Sequence, residues 1–352
     1  MKKNMIKKRL QSLLTLALIG GSTILLYSRC SSPEVKDEVV VDDSADKALL
    51  QKANSIFKSI SSIPQDDIAM NKILLGKKLY HDKSLSKDQT ISCASCHNLN
   101  TYGVDNLAFS PGDTKELGGR NSPSSVYAFL HSVQFWDGRA KDVEEQAGGP
   151  ILNPVEHNVP NQAFLEKRLR ENKEYQRLFK EVYPNEAQPI TFANITNAIG
   201  AFERQLAPES RFDKWLDGDN TALNAQEKKG LQAFMDNACI TCHMGPAVGG
   251  GLMQKFGLYG NYWEKTNSKK IDNGVYDLTK KESDKYIFKV PSLRNVEKTG
   301  PYFHDGSVTK LEDAVSMMAE LQLGNKLSDE DVKNITAFLK SMTAEVDAKY
   351  IE

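Results

Sequence analysis

A mainly α-helical chain built from two similar domains is predicted by three features. Apolar side chains recur every three to four positions, as in Ile195, Ile199, Phe202 and Leu206 and again in Val332, Ile335, Leu339 and Met342, which is the spacing of a buried helical face. No pair of segments alternates apolar and polar residues as paired strands do. A weak internal repeat relates residues 75–97 (LGKKLYHDKSLSKDQTISCASCH) to residues 228–243 (KKGLQAFMDNACITCH). Both copies carry Gly, Leu and an aromatic on an amphipathic segment ahead of Cys-x-x-Cys-His. With 352 residues, 40% of them hydrophobic and 26% charged, the chain can bury two cores, and its composition excludes wholesale disorder and a multi-span membrane protein.

At the N-terminus, Lys2, Lys3, Lys7, Lys8 and Arg9 precede an uncharged, largely apolar run over residues 13–26. That order assigns residues 1–29 to an export signal. Cys30, followed by Ser31, Ser32 and Pro33, resembles the lipidated cysteine of a bacterial lipoprotein, although Arg29 stands where such a signal wants a small residue. The expected location is the periplasm or a membrane surface facing it, with Cys30 as a lipid anchor. Removing residues 1–29 takes away six basic and no acidic side chains and moves the formal net charge from −1 to −7. An acidic mature chain argues against nucleic acid and suits a basic redox partner. Residues 30–60 read as a polar tether ending in a first short helix, residues 61–207 as the first domain and residues 208–352 as the second, with the boundary in the polar stretch 208–224. Ser328 and Asp331 form a capping-box pattern at the start of the last long helix. Long Gly- and Pro-rich loops span residues 110–123, 148–160 and 245–260, and loops of that length usually bind something or are ordered by it.

The five cysteines divide into Cys30 and two pairs, Cys93/Cys96 and Cys239/Cys242, each followed directly by a histidine. This spacing lets two thiols on one turn add to the vinyl groups of a haem while the adjacent imidazole, His97 or His243, reaches the iron from the same side. A four-cysteine zinc site, a thioredoxin-like pair and a plain disulfide are the competing readings. Histidine after both pairs, without a β-α-β pattern, favours two covalent c-type haems, one in each of two cytochrome c-like domains. The sixth iron position separates electron transfer from catalysis, because a second strong ligand closes the iron and an empty position admits peroxide. Met244, Met253, Met317, Met318, Met342 and His304 form the pool for the second haem, and His81, His131 and His157 remain for the first.

The ordered segments LSKDQTISCASCH, GGRNSP, QFWDGRAKDVEEQAGGPILNPVE, ESDKYIFKVPSLRNV, GPYFHDGS and MAELQLG make the chain similar to bacterial di-haem cytochrome c peroxidases over most of residues 75–339. The resemblance implies a low-potential peroxidatic haem in the N-terminal domain and a high-potential electron-entry haem in the C-terminal domain. It implies Met318 as the sixth ligand of the latter, with Met317 as its rival, and Trp136 between the haems. It further implies Gln146 and Glu156 in the distal peroxide pocket, and an inter-haem calcium held by Asn121, Thr299 and Pro301. His304 is expected to be a hydrogen-bonding structural histidine. One loop departs from the family pattern: Ser110-Pro111-Gly112-Asp113 stands where resting-inactive members carry Ser-x-Gly-His. Aspartate is a poor substitute for that iron-blocking histidine, so the N-terminal haem is expected to be open, with His157 as an alternative occupant.

The expected activity is reduction of hydrogen peroxide to water by electrons from a small cytochrome c or similar periplasmic donor. A homodimer is the expected assembly. The alternatives are a di-haem electron-transfer protein without turnover and a di-haem enzyme oxidising protein residues; the latter branch uses a tyrosine where this chain has Met318.

Overall fold

A computed structural model describes residues 43–351. The export signal, Arg29, Cys30 and the first part of the tether lie outside the described residues. Fourteen α-helices and one two-stranded sheet occur among the described residues.

The first part is formed by α1 (Asp43–Ile56), α2 (Met70–His81), α3 (Cys93–Cys96), α4 (Val143–Leu152), α5 (Gln162–Glu171), α6 (Lys173–Val182) and α7 (Phe192–Glu203). The second contains α8 (Arg211–Leu216), α9 (Ala225–Asp236), α10 (Tyr262–Thr266), α11 (Tyr276–Thr279), α12 (Leu311–Met318), α13 (Asp329–Lys340) and α14 (Ala348–Ile351). Strands β1 (Met253–Lys255) and β2 (Ile287–Lys289) pair antiparallel. Three residues each are too few for alternation to register in the sequence, which is why this pair was not expected.

One core gathers Leu75, Leu79, Tyr80, Ile151, Leu165, Phe179, Ile195 and Phe202. Another gathers Phe212, Trp215, Leu231, Phe234, Ile335, Phe338 and Met342. A smaller aromatic cluster of Phe256, Tyr262 and Phe288 receives Trp136, Phe303 and Met318 at its edge. Both ends of the described segment cross over. Helix α1, in the stretch expected to be a polar tether ending in a first short helix, buries Ala53 and the following Phe57 in the second core, with Phe57 edge-on to Phe212 at 5.5 Å. Its apolar face, Leu49, Leu50, Ala53 and Ile56, keeps helical spacing that the surrounding charge conceals. Conversely, Val346, Tyr350 and Ile351 pack on the first core. The stretch expected to be a polar boundary contains α8, whose Phe212, Trp215 and Leu216 are buried.

The internal repeat has a packing cause. In α2, a Cβ on Gly76 would lie 1.8 Å from the Ala198 carbonyl oxygen of α7; in α9, a Cβ on Gly230 would lie 1.9 Å from the Asn334 oxygen of α13. Each repeated glycine marks the point where a helix crosses its partner backbone to backbone, and only hydrogen fits there. Gly230→Ala is expected to lower stability by about 1–3 kcal/mol through overpacking. Thermal unfolding checks this, and a melting temperature equal to wild type would overturn it.

Candidate haem sites

The first Cys-x-x-Cys-His turn is set up locally. Ser92 caps α3, with the Ser95 backbone N–H donating to the Ser92 carbonyl at 2.9 Å and the Ser92 N–H donating to Ser95 Oγ at 2.9 Å. The His97 N–H then closes onto the Cys93 carbonyl at 2.9 Å. In the second motif, left-handed Ala238 leads into a single 3₁₀ turn, and the His243 N–H closes onto Cys239 at 3.0 Å. Both closures bring two sulfurs and an imidazole onto one turn. Tyr80 on α2, the aromatic of the repeat, fixes the first turn by donating its hydroxyl to the His97 carbonyl at 2.6 Å.

These residues fit covalently held haem. All four thiols are free. Burial pushes the Cys93 thiol well up and raises Cys96 and Cys239 each to about 11, which favours the protonated thiol when nothing is bound. No group of three or more metal-binding side chains occurs among the described residues, so the two cysteine pairs do not join in a zinc centre. Burial also holds His97 and His243 neutral, the latter down at about 4, and neutral imidazole is the form that ligates metal. Their Nδ1 atoms are sealed from solvent without a geometrically satisfactory partner, although backbone carbonyls of Gly103 and Pro123, and of Val248 and Pro291, lie close enough to affect their titration. The Nε2 atoms bond to no group among the described residues, which leaves them available for iron.

A cavity of about 400 Å³ contains Cys93, Cys96 and His97 together with Trp136, Gln146 and Glu156, and Asp272 reaches it from the second domain. Gln146 comes from α4, which Asp142 caps by accepting from the Glu145 N–H at 2.8 Å. Glu156 follows α4 in the loop and accepts from Asn153 Nδ2 at 2.8 Å. Burial raises its carboxyl above the usual range, against the opposing pull of Arg139 and Asn153. Arg139 is itself placed by stacking 3.5 Å above the Phe135 ring and by pairing with Asp137 at 2.8 Å. Trp136 is pinned from both sides: its indole N–H donates to the Asn121 carbonyl at 2.8 Å, and its own carbonyl accepts from the Lys289 N–H at 2.7 Å.

Asp113 does not line this cavity, although Ser110, Pro111 and Gly112 do. It is buried and accepts from the Asp88 N–H at 2.7 Å and the Thr90 hydroxyl at 2.6 Å, bonds that hold its carboxyl low despite the opposing effect of burial. A Cβ on Gly112 would strike the Val155 carbonyl at 1.8 Å, and the Asp113 N–H donates to the Glu156 carbonyl at 2.8 Å. This loop is therefore fastened to the loop carrying Glu156. His157 lines the cavity but bonds through Nδ1 to the Leu85 carbonyl at 3.0 Å.

Met318 ends α12 where the helix widens into a π turn (Ala319–Leu323), and it packs on the aromatic cluster on which Trp136 also packs. Met317 belongs to none of the three clusters. Met342 is fully buried in the second core, Met244 is exposed, and Met253 lies against Gly138. His304 is buried, stacked 4.3 Å from Phe288, and bonded through its carbonyl to the Asn121 N–H at 2.7 Å. Asn121 donates its amide to the Leu107 carbonyl at 2.8 Å, and Asn106 donates to the carbonyls of Lys298 and Gly300, both at 2.9 Å. Sequence reasoning missed Arg120, Arg139, Asn153, Glu203 and Asp272 as cavity residues; Arg120 pairs with Asp137 and Asp272, each at 2.6 Å, and thereby ties the two halves together. Nothing local distinguishes these side chains from surface charges.

A di-haem cytochrome c peroxidase model matches residues 70–221 and a cytochrome c model residues 227–343. The chain is 43% identical to cytochrome c551 peroxidase of Pseudomonas aeruginosa, across 84% of this chain and 86% of the relative. It belongs to the di-haem cytochrome c peroxidase family. A cytochrome c551 peroxidase of Nitrosomonas europaea is 42% identical across 83% of this chain and 85% of its own length. A solved MauG-like protein associated with microbial copper homeostasis superposes with a TM-score of 0.72 at 27% identity, covering 82% of this chain and 96% of that structure. Members of this family hold two covalent haems, one for each Cys-x-x-Cys-His turn described above.

Proposed function

We propose that this chain reduces hydrogen peroxide to two waters, consuming two protons and two electrons from a reduced small cytochrome c or similar donor. The observation that carries the reading is a buried carboxyl, Glu156, in the same cavity as Cys93, Cys96 and His97. Haem held there supplies the iron and the redox equivalents. Glu156 takes a proton from one peroxide oxygen and returns it to the other, so that water can leave, and Gln146 orients the substrate. His97 and His243 would be the proximal ligands, Met318 would close the second iron, and Trp136 would lie on the electron route between the two centres. Turnover of reduced cytochrome c by the holoprotein on addition of peroxide tests the activity; absence of peroxide-dependent oxidation would overturn it.

The fastening of Asp113 to Asp88 and Thr90, and of His157 to Leu85, supports an N-terminal haem open without reductive activation. Electron paramagnetic resonance of the fully oxidised protein is expected to show a high-spin ferric signal from one haem, and two purely low-spin haems would contradict this. Calcium fits the oxygen set of Asn121, Thr299 and Pro301. Asn106 engages the carbonyls of residues 298 and 300, leaving those of Thr299 and Pro301 free for a cation. The proposed setting is periplasmic, with residues 1–29 as the export signal, Cys30 as the lipid anchor and a homodimer as the assembly.

A further inference from the structure

The N-terminal haem cavity contains a second carboxyl that this chemistry does not use. Glu203 is the last residue of α7, is 6% exposed, and lines the cavity with Cys93 and Ile199. Its carboxylate makes no hydrogen bond and no ion pair with any described residue. The groups facing it are the Tyr80 hydroxyl of α2, the Cys93 thiol of α3 and the Glu144 carboxylate of α4, none of them cationic. The one cation nearby in sequence, Arg204, points elsewhere, bonding Glu144 at 2.7 Å and Asp66 at 3.2 Å. A buried carboxylate without a partner is costly, and the inexpensive remedy is a proton. Burial, then the Glu144 charge, accordingly raises the Glu203 carboxyl to about 8.

We infer that Glu203 is the proton site coupled to the redox state of the N-terminal haem, binding one proton from water when that centre gains an electron and releasing it when the electron leaves. The physical reason is charge compensation. An oxidised haem core carries one more positive charge than a reduced one and stabilises a nearby carboxylate; removing that charge leaves the buried carboxylate without a counter-charge. Glu203 thus keeps the charge of the cavity constant through turnover and supplies protons that peroxide reduction consumes. The inference rests on haem being held by Cys93, Cys96 and His97, and it is separate from the role of Glu156.

Optical redox titration of the holoprotein between about pH 6 and pH 9 brackets the carboxyl. In wild type, the midpoint potential of the N-terminal haem is expected to fall with rising pH toward a slope of one proton per electron. In Glu203→Gln, that dependence is expected to flatten while the C-terminal haem is unchanged. The same slope in both proteins, or none in wild type, overturns the inference. A redox-difference infrared spectrum of the wild-type protein provides a reading that needs no variant: a protonated-carboxyl band gained on reduction of the N-terminal haem supports the assignment, and its absence contradicts it. A chain without haem gives no optical titration at all, which overturns the haem assignment as well and distinguishes the two failures.

Discussion

Glu156→Gln is expected to lower kcat/KM for peroxide by about 10²- to 10⁴-fold while leaving the spectra of both haems unchanged. The substitution keeps the size of the side chain and an oxygen for the bond from Asn153 Nδ2, so the loop retains its shape. What is lost is the ability to take a proton. The pH profile separates this chemical role from a structural one. Burial places the Glu156 carboxyl above the ordinary range. The carboxylate is the working base, so wild-type activity is expected to decline as pH falls through a value higher than about 4.3, the usual glutamate pKa. The variant has no such limb. Retention of wild-type kcat/KM within about twofold, a range far below a general-base contribution, would show that another group moves the proton.

Removing one partner of the Asp213/Arg294 pair is expected to cost about 3–5 kcal/mol, the largest stability effect among single polar substitutions here. Both side chains have 0% exposure, and two bonds of 2.8 Å join them. Asp213 also accepts from the Ile60 N–H at 2.9 Å, and Arg294 donates to the carbonyls of Pro246 and Lys58 at 2.5 and 3.2 Å. The pair therefore joins the segment after α1, helix α8 and the loop beside His243. Asp213→Ala leaves a bare guanidinium in the core, whereas replacing both residues by apolar ones is expected to cost less than either single change. Thermal unfolding of the three variants checks the order, and an additive double variant would contradict it. Burial alone would raise the Asp213 carboxyl, but the charge and bonds of Arg294 outweigh it and hold the group low. A group depressed in the folded state adds stability above its unfolded pKa of about 3.9. That contribution is lost as pH falls below about 4 and through the lower folded value, so the gap between wild type and Asp213→Ala is expected to narrow there.

Much of the functional site could be read directly from spacing. Cys-x-x-Cys-His places two sulfurs and an imidazole on one turn through bonds within the motif itself, and Gln146 and Glu156 were expected through the family resemblance of the continuous stretch EEQAGGPILNPVE, residues 144–156. Helix α1 was less legible because Asp, Lys and Gln interrupt its apolar face, and only the second core supplies a reason for Leu49, Ala53 and Phe57 to align. The close approach of Gly76 and Gly230 to neighbouring helices was visible only as a repeat, without its cause.

The sequence by itself determined two helical cytochrome c-like units and two Cys-x-x-Cys-His turns suited to covalent haem, because each depends on groups close together along the chain. Tertiary structure decided what surrounds them. It turned Asp113 away from the cavity and tied it to Asp88 and Thr90, set Met318 rather than Met317 against the aromatic cluster, and brought Arg120 to Asp272 from the other half. It also left Glu203 buried without a counter-charge. Charge and burial at a point depend on every segment that packs there, and segments far apart in the chain meet only in the fold.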